Sequence, residues 1–164
     1  MSANSQLSEF RVEKIRSHAT LALAGGDTVL GCFFVSESGA RLPGPERVSE
    51  LLNAESGFFP FEVHDGGAPR TVLFNRAQVL TVTLADNEAQ RDPGYDVASP
   101  RAVALRLANG RRVVGTVRVH QPRGRDRLSD WTRDSDQFRY VECDETTLIV
   151  NIAHVIEVSE VHQS

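Results

Sequence analysis

Five histidines (His18, His64, His120, His154 and His162) and two cysteines (Cys32 and Cys143) carry the metal-binding chemistry of this chain. Donors on one element share a face when they recur three or four residues apart, or as cysteines two residues apart. No histidine pair has that spacing, and neither cysteine has a close cysteine or histidine neighbour. No metal site is expected, and the two cysteines read as small buried thiols in a reducing compartment. Asp130, Asp134 and Asp136 surround Ser135 but lack the glycine and distal glutamate of a calcium loop, so they read as a solvated helix end. Ser49 and Ser129 lack a Gly-x-Ser-x-Gly elbow. Gly25-Gly26 is followed by no Lys-Ser or Lys-Thr pair and reads as a turn. No catalytic residue and no cofactor emerge, and the chain reads as a non-enzyme.

Arginine offers a different chemistry. Residues 101–127 hold Arg101, Arg106, Arg111, Arg112, Arg118, Arg123, Arg125 and Arg127 against Asp126 alone. Arg106, Arg112 and Arg118 share one parity of a strand pattern, so they line the outer face of a hairpin, with Arg123 and Arg125 in the loop beyond. Guanidinium groups in a row suit carboxylates or phosphates. The matching outer face earlier in the chain is apolar, with Ala22, Leu30, Cys32 and Phe34. These arginines and the Leu30, Cys32 and Phe34 face are the candidate partner-binding residues. Two readings stay open for the apolar face: cover by another part of the chain, or association with a partner. Few aromatics interleave with the arginines, which weakens a single-stranded nucleic-acid reading.

The elements that carry these faces come in two copies. Leu21, Leu23, Val29, Gly31, Phe33 and Val35 match Leu105, Leu107, Val113, Gly115, Val117 and Val119 at an offset of 84. Arg47, Val48, Ser49, Glu50, Leu51 and Phe58 match Arg127, Leu128, Ser129, Asp130, Trp131 and Phe138 at 80. Asn75, Ala77, Val79 and Val82 match Asn151, Ala153, Val155 and Val158 at 76. The offset shrinks only in loops, where deletions cost little. Each copy reads as a Gly-turn hairpin, a short helix with an apolar stripe, and three further strands, predicted in the first copy at Phe58–Val63, Thr71–Phe74 and Val79–Leu84. The fold expected is all-β: two tandem five-stranded barrels, 19–84 and 102–161, each with a short helix before its third strand. An arm or short helix, 1–18, precedes them, and a Pro- and Gly-containing linker, 85–101, joins them.

The Gly-turn hairpins, with Leu73-Phe74-Asn75-Arg76-Ala77-Gln78-Val79 and Val150-Asn151-Ile152-Ala153-His154-Val155 as closing segments, resemble the Sm-like small β-barrel. With its Arg-x-Ser-acid helix, the pattern is similar to a bacterial family of uncharacterised small barrels. The Sm-like resemblance implies single-stranded RNA as partner. Of the residues at its second motif, Asn75-Arg76 and Asn151-Ile152, only the first pair is basic.

At 164 residues, 40% hydrophobic and 24% charged, with a net charge of −4, the chain has ordinary globular composition and no global pull toward nucleic acid. It lacks a signal sequence and a membrane-spanning apolar run, so a cytoplasmic location without membrane contact is expected. The function expected is a non-catalytic interaction, scaffold or adaptor module that binds a protein partner or itself. Nucleic-acid binding through the arginine face is the alternative, and a small-ligand sensor with a site between the barrels is the third reading.

Overall fold

A computed structural model describes residues 14–38, 44–120 and 127–162. The period-2 alternation that opens the chain folds as predicted into an antiparallel hairpin of β1 (Lys14–Leu23) and β2 (Thr28–Ser36). Leu21, Phe33 and Val35 point inward and are buried. Gly26, at φ 99°, makes the turn where an L side chain would be strained. Gly31 lies under the crossing of the next strand, where a Cβ would sit 1.8 Å from the Glu62 carbonyl oxygen. Helix α1 (Val48–Ala54) buries Val48 and Leu52. Pro45 lies three residues before the start of this helix. Strands β3 (Phe58–Val63) and β4 (Arg70–Asn75), a 3₁₀ turn (Arg76–Gln78) and β5 (Val79–Leu84) follow.

The same succession then recurs. It runs β6 (Ser99–Leu107), β7 (Arg112–Val119), α2 (Leu128–Thr132), β8 (Phe138–Glu142), β9 (Thr147–Asn151), a 3₁₀ turn (Ile152–His154) and β10 (Val155–Glu160). Pairings recur too: Leu21 faces Val29 as Leu105 faces Val113, and Phe58 faces Asn75 as Phe138 faces Asn151. Asn75 and Asn151 each accept a hydrogen bond from the backbone two residues on, at 3.0 Å, to start their 3₁₀ turns.

All ten strands belong to one antiparallel sheet, ordered β10-β6-β7-β8-β9-β5-β1-β2-β3-β4. The all-β expectation holds. The expectation of two closed five-stranded barrels does not, because the sheet is open. Strand β5 takes β9 of the other half as its second partner, in the register Thr81↔Val150, Val82↔Ile149, Thr83↔Leu148 and Leu84↔Thr147. Backbone groups that closure would have satisfied within one half are satisfied across the joint instead. Every residue of β9 is buried.

Two apolar clusters underlie the sheet. One gathers Leu21, Phe33, Phe59, Phe61, Val79 and Val82, and receives Phe138 and Ile149 from the second half. The other centres on Leu105, Leu107, Val117, Trp131 and Val150. Polar groups lock the joint. The buried Glu88 carboxylate accepts the N–H groups of Val48 (2.9 Å) and Ser49 (3.1 Å), so a side chain about forty residues away caps α1. The Tyr140 hydroxyl donates to Glu88 at 2.9 Å and lies 2.6 Å from the Ser49 hydroxyl. Asn53 bonds both backbone groups of Phe138 at 2.9 Å.

The segment expected as linker contains a 3₁₀ turn (Glu88–Arg91), and its last three residues already belong to β6. Residues 14–18 of the expected arm are strand, and 1–13 lie outside the described residues. Among the described residues, no helix is long and apolar enough to cross a membrane.

Candidate functional site

The two ends of the sheet are its most reactive backbone. Beyond β4 and beyond β10 no strand pairs among the described residues, so each presents a row of free N–H and C=O groups. At the β4 end, Leu73 is 63% exposed and Phe58, on adjacent β3, is 61% exposed. Their counterparts Ile149 and Phe138 are 0% and 3% exposed, because the first half covers them at the joint. At the β10 end a groove opens between Trp131, Thr132, Ile152, Val155, Ile156 and Val158. It stands where the first half receives Phe138 and Ile149. One end thus offers two apolar side chains and the other an apolar recess.

The arginine row proves uneven. Arg106 donates to Glu157 at 2.9 Å. Arg118 donates to Glu142 at 2.9 Å and to the Tyr95 carbonyl at 3.2 Å, with its guanidinium 3.7 Å from the Tyr95 ring centre. Arg112 is exposed and makes no ion pair among the described residues. Arg123 and Arg125 lie outside the described residues. Sequence parity gave the faces of these side chains; the acids that engage Arg106 and Arg118 come from β10 and β8, remote in sequence.

The apolar trio is also divided. Leu30 is exposed, and Phe34 is half-buried with the Arg16 guanidinium 5.9 Å over its ring. Cys32 is fully buried although its parity points it away from the core. Its cover is polar: Sγ lies 3.2 Å from His18 Nδ1 and 4.0 Å from His64 Nε2. Glu62 Oε1 is 2.8 Å from His64 Nε2, and Arg16 donates to the same carboxylate at 3.1 Å. Arg16 and His64 hold the Glu62 carboxyl below its usual range. Burial, then the Glu62 charge, pushes the Cys32 thiol up. Among the described residues, His18, Cys32 and His64 are the group whose metal-ligating atoms all lie within 4.8 Å of one another. Sequence spacing missed it because cross-strand register, not chain proximity, brings its members together.

A cleft of about 140 Å³ lies at the joint, lined by Arg47, Ser49, Tyr95, Trp131, Arg139 and Tyr140. Pockets for small organic ligands run from about 300 Å³ upward, so this cleft is too small for one. A second cleft between the halves, of about 370 Å³ and lined by Asn53, Arg76, Gln137 and Phe138, reaches that size. Comparison with known proteins finds no matching family model, no matching curated protein and no matching solved structure.

Proposed function

We propose that this protein is a non-catalytic interaction module of two duplicated Sm-like units, and that its first partner is another copy of itself, β4 of one copy pairing with β10 of the next. The supporting observation is that this joint already exists once inside the chain, between β9 and β5. Strand β4 is the counterpart of β9, and β10 of β5. Carrying the internal register over sets Leu73 opposite Val158, Val72 opposite Ser159 and Thr71 opposite Glu160. Phe58 and Leu73 then fill the groove at Trp131 and Val158 as Phe138 and Ile149 fill the first core. Glu160 comes beside Arg70, which already donates to Asp65 at 3.2 Å.

Magnitudes set the strength of this contact. Burying a Phe and a Leu contributes about 1.5–3 kcal/mol each. Strand hydrogen bonds add to this, against roughly 4–15 kcal/mol of lost freedom on association. The joint is weaker than the internal one, because Pro60 and Arg133 stand where Tyr140 and Asn53 anchor the covalent pair. Association on the order of micromolar to millimolar follows. Head-to-tail contact of this type builds rings or filaments. Nucleic acid is the less favoured partner, since Arg106 and Arg118 are engaged within the chain.

Sedimentation across concentration tests the reading. Wild type is expected to associate progressively, and Leu73→Lys and Val158→Lys are each expected to stay monomeric with unchanged circular dichroism. Each variant keeps one intact edge, so mixing the two is expected to yield pairs that stop at two chains. Wild type that stays monomeric at millimolar concentration, or variants that associate as wild type does, would overturn the proposal. Salt-sensitive retention of single-stranded RNA, lost in Arg112→Ala, would promote the nucleic-acid reading in its place.

A further inference from the structure

The geometry points to a zinc site on the outer face of the first half, with His18, Cys32 and His64 as ligands and Glu62 as the fourth donor. His18 on β1 and Cys32 on β2 are direct cross-strand partners, and Cys32 is in turn the partner of Glu62 on β3. His64 lies immediately past β3, two residues after Glu62 and so on the same face, its backbone N–H bonded to the Leu30 carbonyl at 2.8 Å. One row across three strands thus carries a thiol, an imidazole and a carboxylate, with a second imidazole at its end. The ligand atoms of His18, Cys32 and His64 lie within 4.8 Å of one another. A tetrahedral zinc holds nitrogen and sulfur donors ~3.5 Å apart, and the observed 3.2 and 4.0 Å bracket that spacing.

Donor chemistry selects the ion. Two neutral imidazoles, one thiolate and one carboxylate suit zinc, a borderline-soft dication, and exactly offset its charge. Hard calcium and magnesium prefer oxygen alone. Binding displaces the Cys32 thiol proton to solvent, and His64 frees Nε2 by moving its hydrogen to Nδ1. Arg16, donating to Glu62 through both Nε and a terminal nitrogen, is the outer partner that orients the carboxylate.

The second half shows that the fold does not require this set. There Ala102 pairs with Thr116 and Thr116 with Glu142, in the register of His18 with Cys32 and Cys32 with Glu62. Asp144 occupies the position of His64. The carboxylate recurs in both halves, whereas both imidazoles and the thiol belong to the first alone. A thiol needs no more than one hydrogen-bond partner to be satisfied, so two imidazoles over one buried sulfur exceed what packing calls for.

The experiment uses the tag-free full chain, incubated with zinc chloride and freed of excess by gel filtration, with retained zinc measured per chain. One zinc per chain is expected, and cobalt in its place should give a thiolate-to-metal charge-transfer band. His18 is exposed, so His18→Gln keeps the fold intact by circular dichroism and is expected to lose both signals, as is His64→Gln. Arg16→Met leaves the ligands in place and is expected to weaken zinc by about 10–100-fold. No zinc retained by wild type, or equal retention in His18→Gln and His64→Gln, overturns the inference. Lowering the protein concentration to the monomeric range leaves the expected stoichiometry unchanged, so failure here is distinct from failure of self-association.

Discussion

Glu142 collects three donors: the Tyr95 hydroxyl, the Asn87 amide at 3.1 Å and the Arg118 guanidinium at 2.9 Å. Burial draws its carboxyl upward, but these hydrogen bonds outweigh burial and hold it below the usual carboxylate range. A carboxyl depressed in the folded state stabilises the fold above its unfolded pKa, and that contribution is lost as pH falls through the folded value. Thermal unfolding followed from pH 7 into acid should show melting temperature falling across this window. Glu142→Gln is expected to flatten this dependence; an unchanged acid slope would show that Glu142 does not contribute to it. The partners of Glu142 were not legible in the sequence, although Arg118 was singled out, because Tyr95 and Asn87 sit in a segment without periodicity. Cys32 teaches the converse. Its parity correctly set it away from the core, yet parity carries no information on what neighbouring strands lay over it. The His18, Cys32 and His64 group occurs in the first half alone, so the match between halves carries no trace of it.

At the scale of elements, the glycines within β2 and β7 make a graded prediction. A Cβ at Gly31 would meet the Glu62 carbonyl at 1.8 Å and the Phe61 ring at 2.7 Å, whereas at Gly115 the nearest atoms are 2.6 and 2.8 Å away. Neither glycine has positive φ, so the constraint is space. Overpacking typically costs about 1–3 kcal/mol, the range expected for Gly115→Ala. Gly31→Ala, whose obstacle is backbone at far shorter range, should exceed about 3 kcal/mol or fail to fold. Urea denaturation ranks the pair, and equal losses would refute the argument. Strands and both short helices were readable because side-chain periodicity reports which face is buried. Strand partners were not, since hydrogen-bond partners leave no periodic trace. The same alternation in β5 fits closure within one half and pairing with β9 in the other.

At the scale of the whole molecule, Phe138 and Phe58 are a matched pair with opposite fates. Phe138 enters the first core across the joint, and Asn53 holds its backbone. Phe138→Ala is expected to cost about 3–5 kcal/mol and to loosen both clusters together. Phe58→Ala should stay within about 0.5 kcal/mol when measured on dilute monomer. Chemical denaturation decides this too: similar losses would mean that the first core does not depend on the second half. The match in sequence aligns Phe138 with Phe58 but does not tell which one is covered, since cover depends on which end of the sheet each occupies. The covalent link between halves has an arithmetic consequence. Every molecule brings two five-strand units already joined, so any closed circle made by repeating that joint contains an even number of them. The peptide chain itself forbids the odd-membered rings that separate units would be free to form.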